Sequence, residues 1–232
     1  MKKILFFVIL AEMLFITFDS CKPSATTPPD AKFYLINVSP NSTSLDFFLD
    51  GASVNSNLQY GQDSGYFSTS PGLHDLICRK AGISQDLINV NMSLTAGQSY
   101  SIFVIDSVNN IRPAAVSDTT SFPAGDTAKI RLLDFCINSP SLITEFAADT
   151  LIKLRYSLRT FNDQNANANN ALFSKIVAGT YTLNLKKLPD SSLITSFPNI
   201  QLTSGKIYTV YLKGSYDSTN ASSIGEGIIQ HN

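Results

Sequence analysis

LTAGQSYSIFV at residues 94–104 returns as LTSGKIYTVYL at residues 202–212, almost position for position. Each copy places a Gly-containing turn before an alternating apolar run, the pattern of a turn followed by a half-buried strand. Two further segments repeat in the same order. Ala31-Lys-Phe-Tyr-Leu-Ile-Asn37 recurs as Ala128-Lys-Ile-Arg-Leu-Leu-Asp134, and Phe67-Ser68 followed by Gly72 recurs as Phe173-Ser174 followed by Gly179. The offsets are 97, 106 and 108, so the extra length lies inside the second copy, and the Asn-rich run Phe161 to Asn170 is its obvious place. Self-similarity of this kind means two tandem units.

The units are β. From Ala31 onward the chain shows short alternating runs at about 8–12 residue spacing, broken by Asp50-Gly51, Pro71-Gly72 and Ala96-Gly97, with no long helical period. The expected fold is all-β: two tandem immunoglobulin-like β-sandwich domains following a signal peptide and a short linker. The expected boundaries are 31–120 and 127–232, joined through the turn-rich DTTSFPAGDT at 118–127. The repeat also assigns faces. His74, Leu76 and Cys78 align with Tyr181, Leu183 and Leu185 on one side of a strand, which turns Cys78 toward the core. Cys136 aligns with Ser39, so a disulfide between Cys78 and Cys136 is not expected, and both read as small buried apolar residues.

The first thirty residues read differently. Met1-Lys2-Lys3 is a positive start, Ile4 to Phe18 is an apolar region interrupted by Glu12, and Ser20 precedes Cys21. The apolar run is shorter than the ~20 residues a spanning helix needs. Residues 1–20 resemble a lipoprotein signal peptide, with Phe18 and Asp19 as in the relaxed box of Bacteroidota-like bacteria, which makes Cys21 the lipidated residue. Lys22 to Asp30, KPSATTPPD, with Cys21 completes a Pro-rich tether over 21–30. The expected location is the cell envelope, on the outer membrane through the N-terminal lipid, with the periplasmic and surface faces both open.

Asn37-Val-Ser-Pro, Leu45-Asp-Phe-Phe-Leu-Asp-Gly, Leu58-Gln-Tyr-Gly, Gly65-Tyr and Pro71-Gly72 together resemble the domain of unknown function 4397 family. That family opens with a His-Ala-Ser-Pro and Val-Asp-Val-Tyr-Val-Asp-Gly signature; Asn37 stands here in place of its histidine. In the second copy Phe135-Cys-Ile-Asn-Ser-Pro140 replaces the first motif, and the Asp-Gly turn is expected at Ala148-Asp149. The resemblance implies tandem immunoglobulin-like sandwiches in secreted and lipid-anchored bacterial proteins. It implies no catalytic residues.

Seventeen Lys and Arg against eighteen Asp and Glu give a net charge of −1, without the basic stripe that nucleic-acid binding requires. There is no G-x-S-x-G, H-E-x-x-H or C-x-x-C, and no calcium loop. Of the two histidines, His74 lies on a core-facing strand and His231 at an end of the sequence where chains tend to be mobile. Asp46, Asp50, Asp63, Asp75, Asp86 and Asp106 fall at turns and strand ends, where Asp bonds backbone. No cofactor and no metal is expected, and no enzyme activity.

Two groups of residues remain as candidates. Asn162, Asp163, Gln164, Asn165, Asn167 and Asn169 form either a polar binding loop or a solvated insertion. Ser107, Thr119, Thr127, Thr150 and Ser218 each follow Asp in triplets resembling O-glycosylation sites of Bacteroidota-like envelopes. The 15 Phe and 9 Tyr mostly alternate into cores, and the absence of Trp tilts away from a dedicated sugar-stacking module. The functional expectation is a non-catalytic envelope protein that binds an unknown protein or glycan. A structural or assembly spacer is the alternative, and an accessory hydrolase a more distant one.

Overall fold

The computed structural model describes residues 27–118, 121–217 and 223–231. Cys21, the signal peptide, most of the tether, Thr119 and Ser218 lie outside the described residues.

The first repeat runs through β1 (Ala31–Asn37), β2 (Leu45–Leu49), β3 (Ala52–Leu58), β4 (Asp63–Thr69), β5 (Gly72–Lys80), β6 (Asp86–Leu94), β7 (Ser99–Ile105) and β8 (Arg112–Asp118). The second runs through β9 (Thr127–Asp134), β10 (Leu142–Ala148), β11 (Leu151–Arg159), β12 (Ser174–Val177), β13 (Gly179–Lys187), β14 (Leu193–Leu202), β15 (Ile207–Lys213) and β16 (Gly225–His231). Two short 3-10 turns, Asp163–Asn165 and Ala168–Ala171, lie between β11 and β12.

Each repeat is a sandwich of two four-stranded sheets. The orders are β4-β1-β7-β8 over β3-β2-β5-β6 in the first, and β12-β9-β15-β16 over β11-β10-β13-β14 in the second. Numbered within each repeat, these orders are identical. Both sandwiches share the immunoglobulin-like architecture of two packed sheets, but with eight strands and with the first strand parallel to the seventh. Phe33, Leu35, Phe47, Leu76, Cys78 and Ile102 fill one core, and Ile130, Leu132, Phe146, Leu183, Leu185 and Val210 fill the other. The two described cysteines are free and buried.

Two details of the repeat alignment are corrected by the ladders. The β10–β11 turn falls on Asp149-Thr150, both at positive φ (47° and 68°), one residue beyond the expected pair. It matches Asp50-Gly51 (φ 51° and 80°), so the second copy holds a β-branched residue where the first holds glycine. Phe67 pairs with Phe33 and Ser174 with Ile130, so Phe67 corresponds to Ser174 and Tyr66, not Phe67, to Phe173.

The strands β1, β7, β9 and β15 are buried on both faces. Their second faces meet each other. Ile36, Val38, Phe103, Ile105, Ala114 and Val116 of the first repeat pack against Leu133, Phe135, Tyr211 and Ile229 of the second. The two repeats therefore dock through equivalent sheets about an approximate two-fold, and the molecule is four sheets deep. Gly227 lies opposite Tyr211 in the β15–β16 ladder. The Tyr211 ring crosses it so closely that a Cβ there would stand 2.2 Å from the ring.

At one end of this interface the equivalent positions turn polar and complementary. Tyr34, Tyr66, Ser101 and Asp118 of the first repeat correspond to Arg131, Phe173, Thr209 and His231 of the second. Arg131, fully buried, donates through Nη2 to Asp118 Oδ1 and through Nη1 to Ser117 O at 2.7 Å. Its Nε donates to Thr209 Oγ1 at 2.7 Å, and its guanidinium lies over the Phe173 ring. Thr209 then donates to His231 Nε2 at 2.7 Å, His231 Nδ1–H to the Tyr66 oxygen at 2.6 Å, and Tyr66 to Asp118 Oδ2 at 2.7 Å. With the His231 proton on Nδ1, the Thr209 and Tyr66 hydroxyls and the imidazole N–H each have an acceptor. His231, expected at a mobile end, is instead 2% exposed.

A protonated His231 would have to donate to Thr209, whose own proton would then lose its acceptor. Burial, with Arg131 adding to it, holds the imidazole down at about 4 against the pull of Asp118. Asp134 at the end of β9 shifts the opposite way: burial pushes its carboxyl up to about 6, although Cys136 N–H and the Ser139 hydroxyl bond it. Asn37 is its counterpart in the first repeat and makes the same turn neutrally, accepting from Ser39 N–H and the Ser42 hydroxyl. The position held by Asn37 and Asp134 is thus a strand-end turn closed by one side chain.

These shifts fix opposite pH responses. His231 is neutral in the fold and takes up a proton more readily when unfolded, so its contribution is lost as pH falls from about 6.5 toward 4. Asp134 takes up its proton more readily in the fold, so its cost is lifted as pH falls from about 6 toward 4. Asp134→Asn should raise stability at pH 7 by about 1–2 kcal/mol in urea denaturation. The gain should vanish by pH 4. A gain equal at both pH values would show that the buried charge of Asp134 is not its source.

Candidate functional site

The two repeats differ most in one connection. β3 and β4 are joined by the four residues 59–62, whereas β11 and β12 are joined by the fourteen residues 160–173. The longer connection leaves its own sandwich and reaches the edge of β8 in the first repeat. Between them lies a cavity of about 410 Å³, lined by Pro113, Ala115 and Ser117 on one wall and by Asn162, Gln164, Asn165, Ala168 and Leu172 on the other.

The insert is held by buried polar groups at its start. Arg159 clasps Asp163 with two hydrogen bonds of 2.7 and 2.8 Å, and both residues are buried. Asn162, in the left-handed region at φ 53°, donates its N–H to Asp134 O at 2.7 Å. Gln164 Nε2 donates to Asn162 Oδ1 at 2.7 Å, which leaves Gln164 Oε1 buried without a partner among the described residues. Phe161 lies under the Arg112 guanidinium, 5.6 Å away, which ties the insert to the first residue of β8. Of the candidate loop residues, Asn162, Asp163 and Gln164 are therefore buried anchors, while Asn165, Asn167 and Asn169 are exposed. Asn167 caps its own 3-10 turn by accepting from Asn169 N–H at 3.1 Å.

β8 forms the facing wall as the edge strand of its sheet. Ser117 O accepts from Arg131, so it points away from β7, and by the two-residue period so do the backbone groups of Ala115 and Pro113. The edge is guarded at both ends: Pro113 has no N–H, and Ser117 O is already used. A smaller apolar slot of about 240 Å³, lined by Met92, Leu94, Tyr100, Ile102 and Ala115, opens on the other side of β8.

The remaining candidates are dispersed. His74 is buried and bonded to Asp50 at 2.7 Å and to Ser70 O at 2.8 Å, and the Asp50 bond raises its pKa. Asp46 accepts from the N–H groups of Asn57 and Gly82, Asp63 from the Tyr34 hydroxyl, Asp86 from Arg79, and Asp106 from Ser107 N–H and Arg112. Ser107 and Thr127 are half-buried; the Thr127 hydroxyl donates to Ala124 O at 2.8 Å, while Thr150 is exposed on its hairpin turn. Among the described residues no group of three or more His, Cys, Asp or Glu is placed to hold a metal ion. None of their helices is long and apolar enough to cross a membrane.

A family model described as "Domain of unknown function (DUF4397)" matches residues 31–145, from the start of β1 into β10. No curated protein is significantly similar in sequence. Among solved structures, a family 26 carbohydrate-binding module from Eubacterium rectale, in complex with maltoheptaose, aligns at 10% identity over 88% of this chain and 97% of its own, with a TM-score of 0.25. A DUF3823 family protein from Bacteroides ovatus aligns at 14% identity over 75% and 99%, with a TM-score of 0.23. A candidate cell adhesion protein from Parabacteroides distasonis aligns at 11% identity over 88% and 99%, also with a TM-score of 0.23. Scores of this size carry no functional argument.

Removing Asp163 should release the insert. Asp163→Ala leaves Arg159 buried and unpaired, at a cost of about 3 kcal/mol. Hydrogen exchange of residues 160–172 should then accelerate well beyond that of β9 and β15. Uniform acceleration across the second repeat would show that Asp163 holds the fold and not the insert.

Proposed function

We propose that this chain, which carries a DUF4397 family domain over residues 31–145, is a non-catalytic, lipid-anchored protein of the cell envelope that binds its ligand in the cleft between its two repeats. The observation that carries this reading is where the repeat symmetry breaks. Two sandwiches with identical strand order differ by an insert, and the insert builds a cavity of about 410 Å³ against the other repeat. A loop extended only to fill solvent would have no reason to be clamped by a buried Arg159–Asp163 pair and aimed at the other repeat.

The chemistry of the cleft supports binding over catalysis. Its lining holds amides, a hydroxyl and small apolar side chains, and no ionisable group. The buried polar set of Asp118, Arg131, His231 and Tyr66 is spent on joining the repeats. The anchor rests on residues 1–21 of the sequence: a basic start, a short apolar run and Ser20-Cys21. The proposed location is the outer membrane.

Two measurements in cells test the halves of this proposal separately. An alkynyl fatty acid fed to cells should label the wild-type protein and not Cys21→Ala, and the variant should leave the membrane fraction. Labelling that persists without Cys21, or no labelling of the wild type, contradicts the anchor. A photo-reactive residue at Asn165 should crosslink to an envelope component when one at Lys153, on β11, does not. Equal crosslinking at both positions, or none at either, contradicts a binding site at the cleft.

A further inference from the structure

Resting on the cleft reading above, we infer that the site takes an uncharged carbohydrate segment. Four features of the walls select that class. First, no charged side chain lines the cleft, so nothing there neutralises a phosphate, sulfate, carboxylate or ammonium group, and such a ligand would lose its hydration without compensation. Second, the polar groups are amides and a hydroxyl, namely Asn162, Gln164, Asn165 and Ser117, which offer donors and acceptors side by side as vicinal sugar hydroxyls require.

Third, the apolar part of the lining is made mostly of small side chains. Ala114, Ala115, Ala168 and Ala171, with Pro113, Val116 and Leu172, suit the C–H face of a pyranose ring. Fourth, the peptide alternative meets a guarded edge. Strand addition along β8 would need its free backbone groups, yet Pro113 offers no N–H and Ser117 O is held by Arg131. The chain's lack of Trp does not oppose the assignment, because recognition here comes from amides and not from stacking. The volume of about 410 Å³ lies within the ~300–1,000 Å³ range of small-ligand sites, so a short segment of a glycan is held and not a long chain.

The test uses the soluble mature chain with a fixed set of probes. Maltotriose, cellotriose, mannotriose and chitotriose, with the uncharged peptide Ac-SVTVSVT-NH2, are titrated by calorimetry and by amide chemical-shift mapping. At least one saccharide should bind and shift the amides of Ala115, Asn165 and Ala168. Ala168→Phe, at an exposed position that fills the cleft, should weaken that binding at least tenfold while leaving the melting temperature unchanged. Binding of the peptide at these residues with none by the saccharides overturns the carbohydrate assignment but leaves the cleft as a binding site. Saccharide binding that Ala168→Phe does not change, or that shifts only the outer sheets, overturns the assignment as well. No perturbation of the cleft by any probe also overturns it. If Asn165 in addition captures nothing in cells, the binding reading itself falls.

Discussion

Arg131 carries its charge into a region closed to water, and the one carboxylate that meets it there, Asp118, belongs to the other repeat. A buried guanidinium without that partner would cost several kcal/mol, so the two repeats cannot separate without exposing or stranding an ion. Around the pair, Thr209, His231 and Tyr66 close a ring of hydrogen bonds whose direction fixes the histidine tautomer. Beside the ring, the packing of Phe103 on Phe135 and Tyr211, and of Tyr211 across Gly227, supplies the apolar contact. The polar ring sets the register of docking, and the apolar face provides its area.

That docking has a consequence for the cleft. Because equivalent sheets meet about an approximate two-fold, each repeat's third connection is carried toward the last two strands of the other repeat's sheet. In the first repeat the connection is short, and Tyr60 and Gly61 close on Lys213. In the second it is long, and it stands over Pro113 to Ser117 with a cavity beneath. A symmetric frame thus gives one closed side and one open side. The difference lies in ten added residues, not in any change of strand order.

Much of this could be read before any coordinates. The repeat LTAGQSYSIFV and LTSGKIYTVYL announced two units, alternation made them β, and the difference in offsets located the insert. The core-facing side of His74 and Cys78 followed from period two. What the residues did not reveal was which outer faces meet. Runs such as Arg131-Leu-Leu-Asp-Phe-Cys136 and Ser101-Ile-Phe-Val-Ile105 are apolar on both sides, the mark of a strand buried twice, and that signal was available. The partner was not, because complementarity between Asp118 and Arg131 is a property of the docked pair and each residue alone resembles an ordinary surface charge. His231 escaped for a related reason: its equivalence to Asp118 appears only once β16 is paired with β15. The burial of Asn162 to Gln164 came from the Arg159–Asp163 clamp, an i,i+4 ion pair that looks from sequence like any solvated one.

The claim on which the rest depends is that the two repeats move as one body. Backbone N–H residual dipolar couplings of the mature chain, fitted separately for residues 31–118 and 127–217, measure this directly. The expected result is one alignment tensor, with the same magnitude and orientation for both repeats. Two tensors of different magnitude would show independent repeats, and with them neither the buried ring nor a cleft of fixed shape would survive.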